Sequence, residues 1–501
     1  MDQVMDREIE LKFLLPPEAA GLALAELKAV QDGEGAVRQL DATYFDTPDH
    51  ALRRAGYGLR VRDGEGGRKQ TLKSASAGGV FSRGEWETVV DGPEPDRDAL
   101  ALTPAAAMLE DRPLAPVFTT HVERVVRLVQ IDEAVIETAL DRGELSAADR
   151  RAPVCELELE LKAGPPRALF DLARTLAARV PLRLSLVSKA ERGYDLAAGE
   201  DGPPPRRHAT ALSPKATVGE ALQALGRADL GHLCAALEAL RERPEAEAVH
   251  QARVATRRLR ALLKIFKPLA KDEAARRLDE ELSWLAGEFD AARDLDVFVD
   301  EIWRDAAPGA EFTGKDAFER GLQAVHANAY LRMEAALESP RARAVLLEAA
   351  AWLEAGDWAT APELAEIRDG AAKAYAAEVL HDRRKAVKKR AKRFDDLDAE
   401  ARHRLRLKGK TLRYAAEDLA PLFPEHAERA DRFVKAAKAA QDTLGALNDR
   451  SVREGLVDLA AHGDADLSRA AQRVVLGDEE HDLVAAARAA LKDLIEAKTF
   501  W

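Results

Sequence analysis

Near the start of the chain the run REIELKFLL alternates Glu8, Glu10 and Lys12 with Ile9, Leu11 and Phe13. Strict alternation is the period of a half-buried β-strand, so two carboxylates and an ammonium share one face. The pattern returns in CELELELK, where Glu156, Glu158 and Glu160 share a face. Two rows of oxygen donors suit a hard divalent cation, Mg²⁺ or Mn²⁺. Other alternating segments put Arg60, Arg62, Lys73, Glu85, Glu87, Arg124 and Asp141 on comparable faces. If these strands close on one another, the charges line an interior and must pair or bind something. Carboxylates on one wall, with guanidinium and ammonium groups on others, fit a metal-bound polyanion such as a triphosphate. Metal-assisted hydrolysis follows if the cation also positions water.

The elements that must carry these groups are short. Alternating segments at Ile9–Leu15, Gln39–Phe45, Leu59–Arg62, Gln70–Lys73, Glu85–Val90, His121–Ile131, Ala134–Leu140 and Val154–Lys162 are separated by Gly, Pro and Asp. They predict an antiparallel sheet, closed or nearly closed into a barrel. Residues 199–214, with three consecutive prolines, read as a semi-rigid linker between a domain at 1–198 and another at 215–501. Beyond the linker, Ala/Leu/Arg/Glu segments run at helical period and predict all-helical bundles.

That second half holds a repeat. His250, Arg253, Arg257 and Arg260 match His403, Arg406, Lys410 and Arg413 at the same offsets. Those offsets place each set within an arc of about 80° on a helix, a narrow basic stripe. A third basic run, from Arg383 to Arg393, adds cations. Taken singly, a charged strand face is usually solvated and a basic run usually pairs with nearby Glu. The recurrence at fixed offsets argues otherwise here. No aromatics alternate with these cations, so a base-free polyanion suits them better than single-stranded nucleic acid.

A chain of 501 residues is too long for one core, and 33% charged against 5% aromatic residues favours helix overall. The net charge of −13, most of it before the linker, argues against a general nucleic-acid binder. Two cysteines, Cys155 and Cys234, the absence of a long apolar run and a charged opening strand lead to the expectation of a reduced, cytoplasmic protein with no membrane span.

The segments EIELK, YFDT, GLRVR, TLK, RGEWE, VERVV, ALDRGE, ELELELK and SKAERGY, in that order, resemble the CYTH domain of triphosphate tunnel metalloenzymes. The resemblance implies an eight-stranded antiparallel tunnel and divalent-metal-dependent hydrolysis of triphosphates. It casts Glu8 and Glu10, helped by Glu156 and Glu158, as metal ligands, and Lys12, Arg60, Arg62, Lys73, Arg124 and Lys189 as phosphate binders. Glu87 and Asp141 become further tunnel carboxylates. The row from Glu156 to Glu160 admits more than one alignment, and Glu85 competes with Glu87. VHQARVATRRLR, AARDLDVF, HRLRLKGKTLRY and LGALND resemble the CHAD domain, which implies two pseudo-symmetric four-helix bundles binding inorganic polyphosphate through the His/Arg/Lys stripes. The leading expectation is an inorganic triphosphatase joined to a polyphosphate-binding module. Its rivals are a non-catalytic scaffold directed to polyphosphate-rich bodies, and a hydrolase or cyclase acting on an organic triphosphate.

Overall fold

Alternation of apolar and charged residues builds the first half. A computed structural model describes residues 9–31, 33, 35–64, 67–74, 84–109, 112–199, 207, 210–476 and 480–501. The described residues fall into two compact units. One is the chain up to Arg206 with Ser339–Ala355; the other is Arg207–Glu338 with Gly356–Trp501.

In the first unit the strands are β1 (Ile9–Leu14), β2 (Ala36–Asp46), β3 (Tyr57–Asp63), β4 (Lys69–Ser74), β5 (Glu85–Val89), β6 (Ala115–Ile131), β7 (Ala134–Ala147), β8 (Arg150–Ala163) and β9 (Arg183–Leu184). They form one antiparallel sheet in the order β5-β4-β3-β2-β6-β7-β8-β1-β9. The expectation of eight strands in a closed tunnel is corrected to nine strands in a sheet whose end strands, β5 and β9, do not pair among the described residues. The ninth is two residues long and joins the edge at Phe13 and Leu14, too short to show any alternation. Two-residue loops link β6 to β7 and β7 to β8, with Asp132 at φ 51° and Ala148 at φ 53°, the left-handed geometry that tight hairpins favour.

The outer face is apolar. Leu11, Phe13, Ile136, Leu140, Leu157 and Leu159 are all buried, and helices Ala20–Val30 and Pro166–Ala177 pack on that side. A further helix, Pro340–Ala355, completes this layer against Pro166–Ala177, and Glu348 receives a bidentate pair from Arg174 at 2.6 and 2.8 Å.

The inner face is split. At one end Tyr44, Phe118, Val122, Leu145 and Val154 form an apolar cluster with Tyr194 of the helix Lys189–Ala198. A capping box between Ser188 and Glu191 starts that helix. It sits tightly because position 193 is glycine: a Cβ there would meet the Phe118 ring at 2.1 Å. The buried Asp46 carboxylate fixes the same corner. It accepts hydrogen bonds from the amides of Thr47 (2.7 Å), Leu52 (2.9 Å) and Arg53 (2.9 Å) and from the Tyr194 hydroxyl (2.8 Å).

The second unit is helical, with principal helices Val218–Glu242, Ala246–Ile265, Glu273–Val297, Lys315–Glu338, Ala372–Ala391, Ala399–Leu419, Ala427–Ala460, Ala465–Val475 and Glu480–Glu496. The two repeat-bearing helices, Ala246–Ile265 and Ala399–Leu419, pack on each other. Beside them Arg207 joins buried Asp229 (2.5 Å) to buried Asp418 (3.0 Å), and Arg258 holds Asp418 (2.9 Å) and Glu417 (2.6 Å). Arg207, from within the segment read as linker, is therefore anchored among the helices.

Gly193→Ala is expected to destabilise the first unit by about 1–3 kcal/mol, since the added methyl must push the helix off Phe118. Denaturant unfolding checks this, and an unchanged midpoint would contradict the packing.

Candidate active site

Register decides which charges meet on the inner face. Across β6, β7 and β8, Arg124 lies opposite Asp141 and Asp141 opposite Glu156. Lys12 of β1 is opposite Glu158 of β8. Into this patch the first residue of the helix Lys189–Ala198 inserts its ammonium. Lys189 Nζ lies 2.5 Å from Glu156, 2.8 Å from Asp141 and 2.9 Å from Glu158. Arg124 donates Nε to Asp141 (2.6 Å) and Nη2 to Asp141 (2.7 Å) and Glu158 (2.6 Å). Lys12 approaches Glu158 at 3.4 Å, and Arg192 pairs with Glu156 while donating to the Pro153 carbonyl at 2.8 Å.

Burial alone would raise the carboxylates and lower the ammonium. The opposite charges win: Glu156 and Glu158 lie below the ordinary range, and Lys189 lies well above its own. Oxygens of Asp141, Glu156 and Glu158 all lie within 4.8 Å of one another, close enough for a cation, and the ammonium of Lys189 stands among them.

Next to this patch opens a cavity of about 430 Å³. Its wall carries Glu10, Lys12, Arg60, Arg62, Lys73, Arg124, Asp141, Glu158 and Lys189 from the residues singled out in the sequence. Glu156 does not line it and is fully buried, in register with Leu14. The residue opposite Glu10 is Glu160, itself opposite Glu137, so a row of three carboxylates crosses β1, β8 and β7 along the cavity wall. Of the competing pair, Glu85 lines the cavity and pairs with Lys73 at 3.0 Å, whereas Glu87 turns to Lys69 at 2.5 Å and lies off the lining. Glu8 lies outside the described residues.

Arg60 keeps its Nε buried without an acceptor, and Arg62 is pushed below its usual pKa by burial and by Arg60 and Arg124. Against burial, Tyr44 and Glu85 raise Arg60, and Glu85 also pairs with Lys73. Sequence reasoning missed Glu137, Lys162, Tyr44, Arg53 and Tyr194, which also line the cavity. Glu137 was within reach, because it continues the inner-face alternation of Ala139 and Asp141. Arg53 follows a turn and shows no period.

Residues 6–194 match the CYTH domain and residues 224–458 the CHAD domain. The chain is a CYTH domain followed by a CHAD domain. The CYTH part is 32% identical over 200 residues to an inorganic triphosphatase of Haemophilus influenzae, a match covering 39% of this chain and 56% of that protein. The chain thus spans just over half the length of that relative. An uncharacterized protein of Mycobacterium tuberculosis is 28% identical, over 90% of this chain and 88% of its own. Over the CHAD part, the crystal structure of the CHAD domain from the plant Ricinus communis superposes with a TM-score of 0.50 at 30% identity, covering 58% of this chain and 97% of that one. Among the described residues no helix is long and apolar enough to cross a membrane.

Within the CHAD domain the repeat brings four cations together: Arg253 and Arg257 from one helix, Arg406 and Lys410 from the other. His250 is half-buried beside Arg293, and His403 is exposed. Arg260 and Arg413 turn away, to Asp279 (2.8 Å) and to Glu417 and Gln441 (2.7 Å from Nε). In the third basic run, Arg383 and Arg384 bond carbonyls at helix ends, Lys264 (2.5 Å), Ile495 (2.7 Å) and Ala497 (2.9 Å), where a cation complements the helix dipole.

Glu158→Gln should cost the CYTH domain about 3–5 kcal/mol in denaturant unfolding, because three cations lose a shared counter-charge. The lowered pKa values of Glu156 and Glu158 fix a sign as well. The stabilisation is present above their ordinary value of 4.5 and is lost as the pH falls below it. Pulse-labelled hydrogen exchange should show β7 and β8 amides losing protection first on acidification.

Proposed function

We propose that the CYTH domain hydrolyses inorganic triphosphate in a divalent-metal-dependent reaction and that the CHAD domain binds inorganic polyphosphate. The observation that carries the first part is the mixed charge of the cavity wall, with Glu10, Glu160 and Glu137 in one row, Lys162 at 2.5 Å from Glu160, and Arg60, Arg62 and Lys73 among the other lining cations. The triphosphatase relative supports it.

In this reading the inner face of the open sheet holds the substrate. The carboxylate row offers the hard oxygen donors that Mg²⁺ or Mn²⁺ takes. Bound there, the cation would supply Lewis-acid polarisation of a phosphoryl oxygen and a water of lowered pKa. Arg60, Arg62 and Lys73 grip phosphate oxygens and orient the chain for in-line attack. Arg124 and Lys189, already bonded to Asp141 and Glu158, act by holding those carboxylates in place and by keeping the cavity floor near neutrality.

Phosphate release from tripolyphosphate, ATP, thiamine triphosphate and long-chain polyphosphate, each with Mg²⁺, Mn²⁺ or chelator, tests the reading. Metal-dependent release greatest on tripolyphosphate is expected, and Glu10→Gln should lower it by about 10²-fold or more with the sheet intact by circular dichroism. Polyphosphate bound without release from any substrate would make the protein a binding scaffold instead.

For the CHAD domain, two pseudo-symmetric bundles would present the Arg253, Arg257, Arg406 and Lys410 cluster as the polyphosphate site. Exchanging Arg253 and Arg406 together for Ala should weaken polyphosphate binding by about tenfold or more at moderate salt, measured by titration calorimetry.

A further inference from the structure

The four cations gathered by the repeat are not equivalent. Arg253 has two carboxylates of its own, Asp290 at 2.5 Å and Asp294 at 2.7 Å. Arg257 donates Nε to the Arg253 carbonyl at 3.3 Å. Lys410 is half-buried between them. Facing it are Arg253 and Arg257 from Ala246–Ile265, Arg406 from its own helix, and Asp290 from Glu273–Val297, a carboxylate already held by Arg253. His250 and Tyr414 border Arg257. On Ala427–Ala460, Gly445 lies beside Arg406, and the side chains of Asn448 and Asp449 are outside the described residues. An ammonium in this position is crowded by three guanidinium groups that cannot give up their own charge at any ordinary pH.

We propose that polyanion binding at this cluster is coupled to uptake of one proton from solvent by the Lys410 amine, so that the CHAD domain grips its ligand more tightly as the pH falls from about 9 to about 7. The inference rests on the polyphosphate reading of the CHAD domain and adds a form of regulation to it.

Two physical effects converge. Burial, then the charges of Arg257, Arg406 and Arg253, lowers Lys410 to about 7, so the free protein carries much of this residue as neutral amine just above neutrality. A phosphate chain laid along the stripe neutralises the guanidinium groups and adds negative charge beside the amine, which returns it to the ammonium form. By linkage, a group protonated in the bound form and neutral in the free form makes affinity fall by up to about tenfold per pH unit above its free pKa. Burial and the charge of Arg293 push His250 below its ordinary value, so the window above about pH 7.5 lies clear of it.

The experiment is isothermal titration of the full-length chain with long-chain inorganic polyphosphate, in chelator, between pH 7 and 9 at fixed ionic strength. Each pH is run in two buffers of different ionisation enthalpy. A long chain keeps its titratable end groups a small fraction of the phosphates. Affinity should drop roughly tenfold per unit toward pH 9, with the buffer difference reporting close to one proton taken up near pH 8. Lys410→Arg, always charged, should bind with no proton uptake and a flat profile; Lys410→Met should bind more weakly and equally flatly. A flat wild-type profile with no buffer dependence overturns the coupling and leaves polyphosphate binding intact. Coupling that persists in Lys410→Arg assigns the proton elsewhere and also overturns it. No binding at pH 7 refutes the polyphosphate reading itself.

Discussion

The arrangement of the CYTH domain turns on one ammonium group. Lys189 touches Asp141, Glu156 and Glu158 at once, while Arg124, Arg192 and Lys12 each reach only one or two of these carboxylates. Their rows are fixed by strand pairing, so the position of the ammonium is in effect set by the sheet. The helix that delivers it is seated by a glycine against Phe118 and by the Tyr194 hydroxyl on Asp46. Apolar packing at one end of the inner face therefore fixes the electrostatics at the other.

The two halves treat positive charge differently. In the CYTH domain almost every cation near the cavity floor has a carboxylate, and the shifts of Glu158 and Lys189 reinforce each other. In the CHAD domain two helices press their stripes together with little acid between them, and the shifts of Arg257 and Lys410 run downward. The first pattern makes a rigid frame. The second gathers like charges that Asp290 and Asp294 offset only at Arg253.

Alternation at β1 and β8 was legible in the sequence because a period of two reports which face a residue takes. It does not report register: a slip of two residues keeps every side chain on its face, so nothing in CELELELK alone says that Glu160, rather than Glu156, lies opposite Glu10. The same ambiguity surrounds Glu85 and Glu87 until β4 supplies Lys73 and Lys69 as partners. The repeat at His250 and His403 was legible through its offsets. Its last members were over-read, since Arg260 and Arg413 sit at the edge of the arc, where neighbouring acids and Gln441 claim them. The two-residue β9 and the one-turn helix Ala51–Arg54 that bears Arg53 are too short to show a period.

The helix Pro340–Ala355 gives the chain an unusual order of assembly. Its neighbours in sequence on both sides belong to the helical unit, yet it packs on Pro166–Ala177 and is tied there by Arg174 and Glu348. A ribosome finishing the sheet has not finished the first unit, whose outer layer waits for more than a hundred further residues to emerge. Cutting at the Pro-rich segment does not separate two self-sufficient pieces: the N-terminal fragment lacks part of its own covering, and the C-terminal fragment carries a helix whose partner is gone. The covalent linker is thus only the first of three points at which the chain passes from one unit to the other.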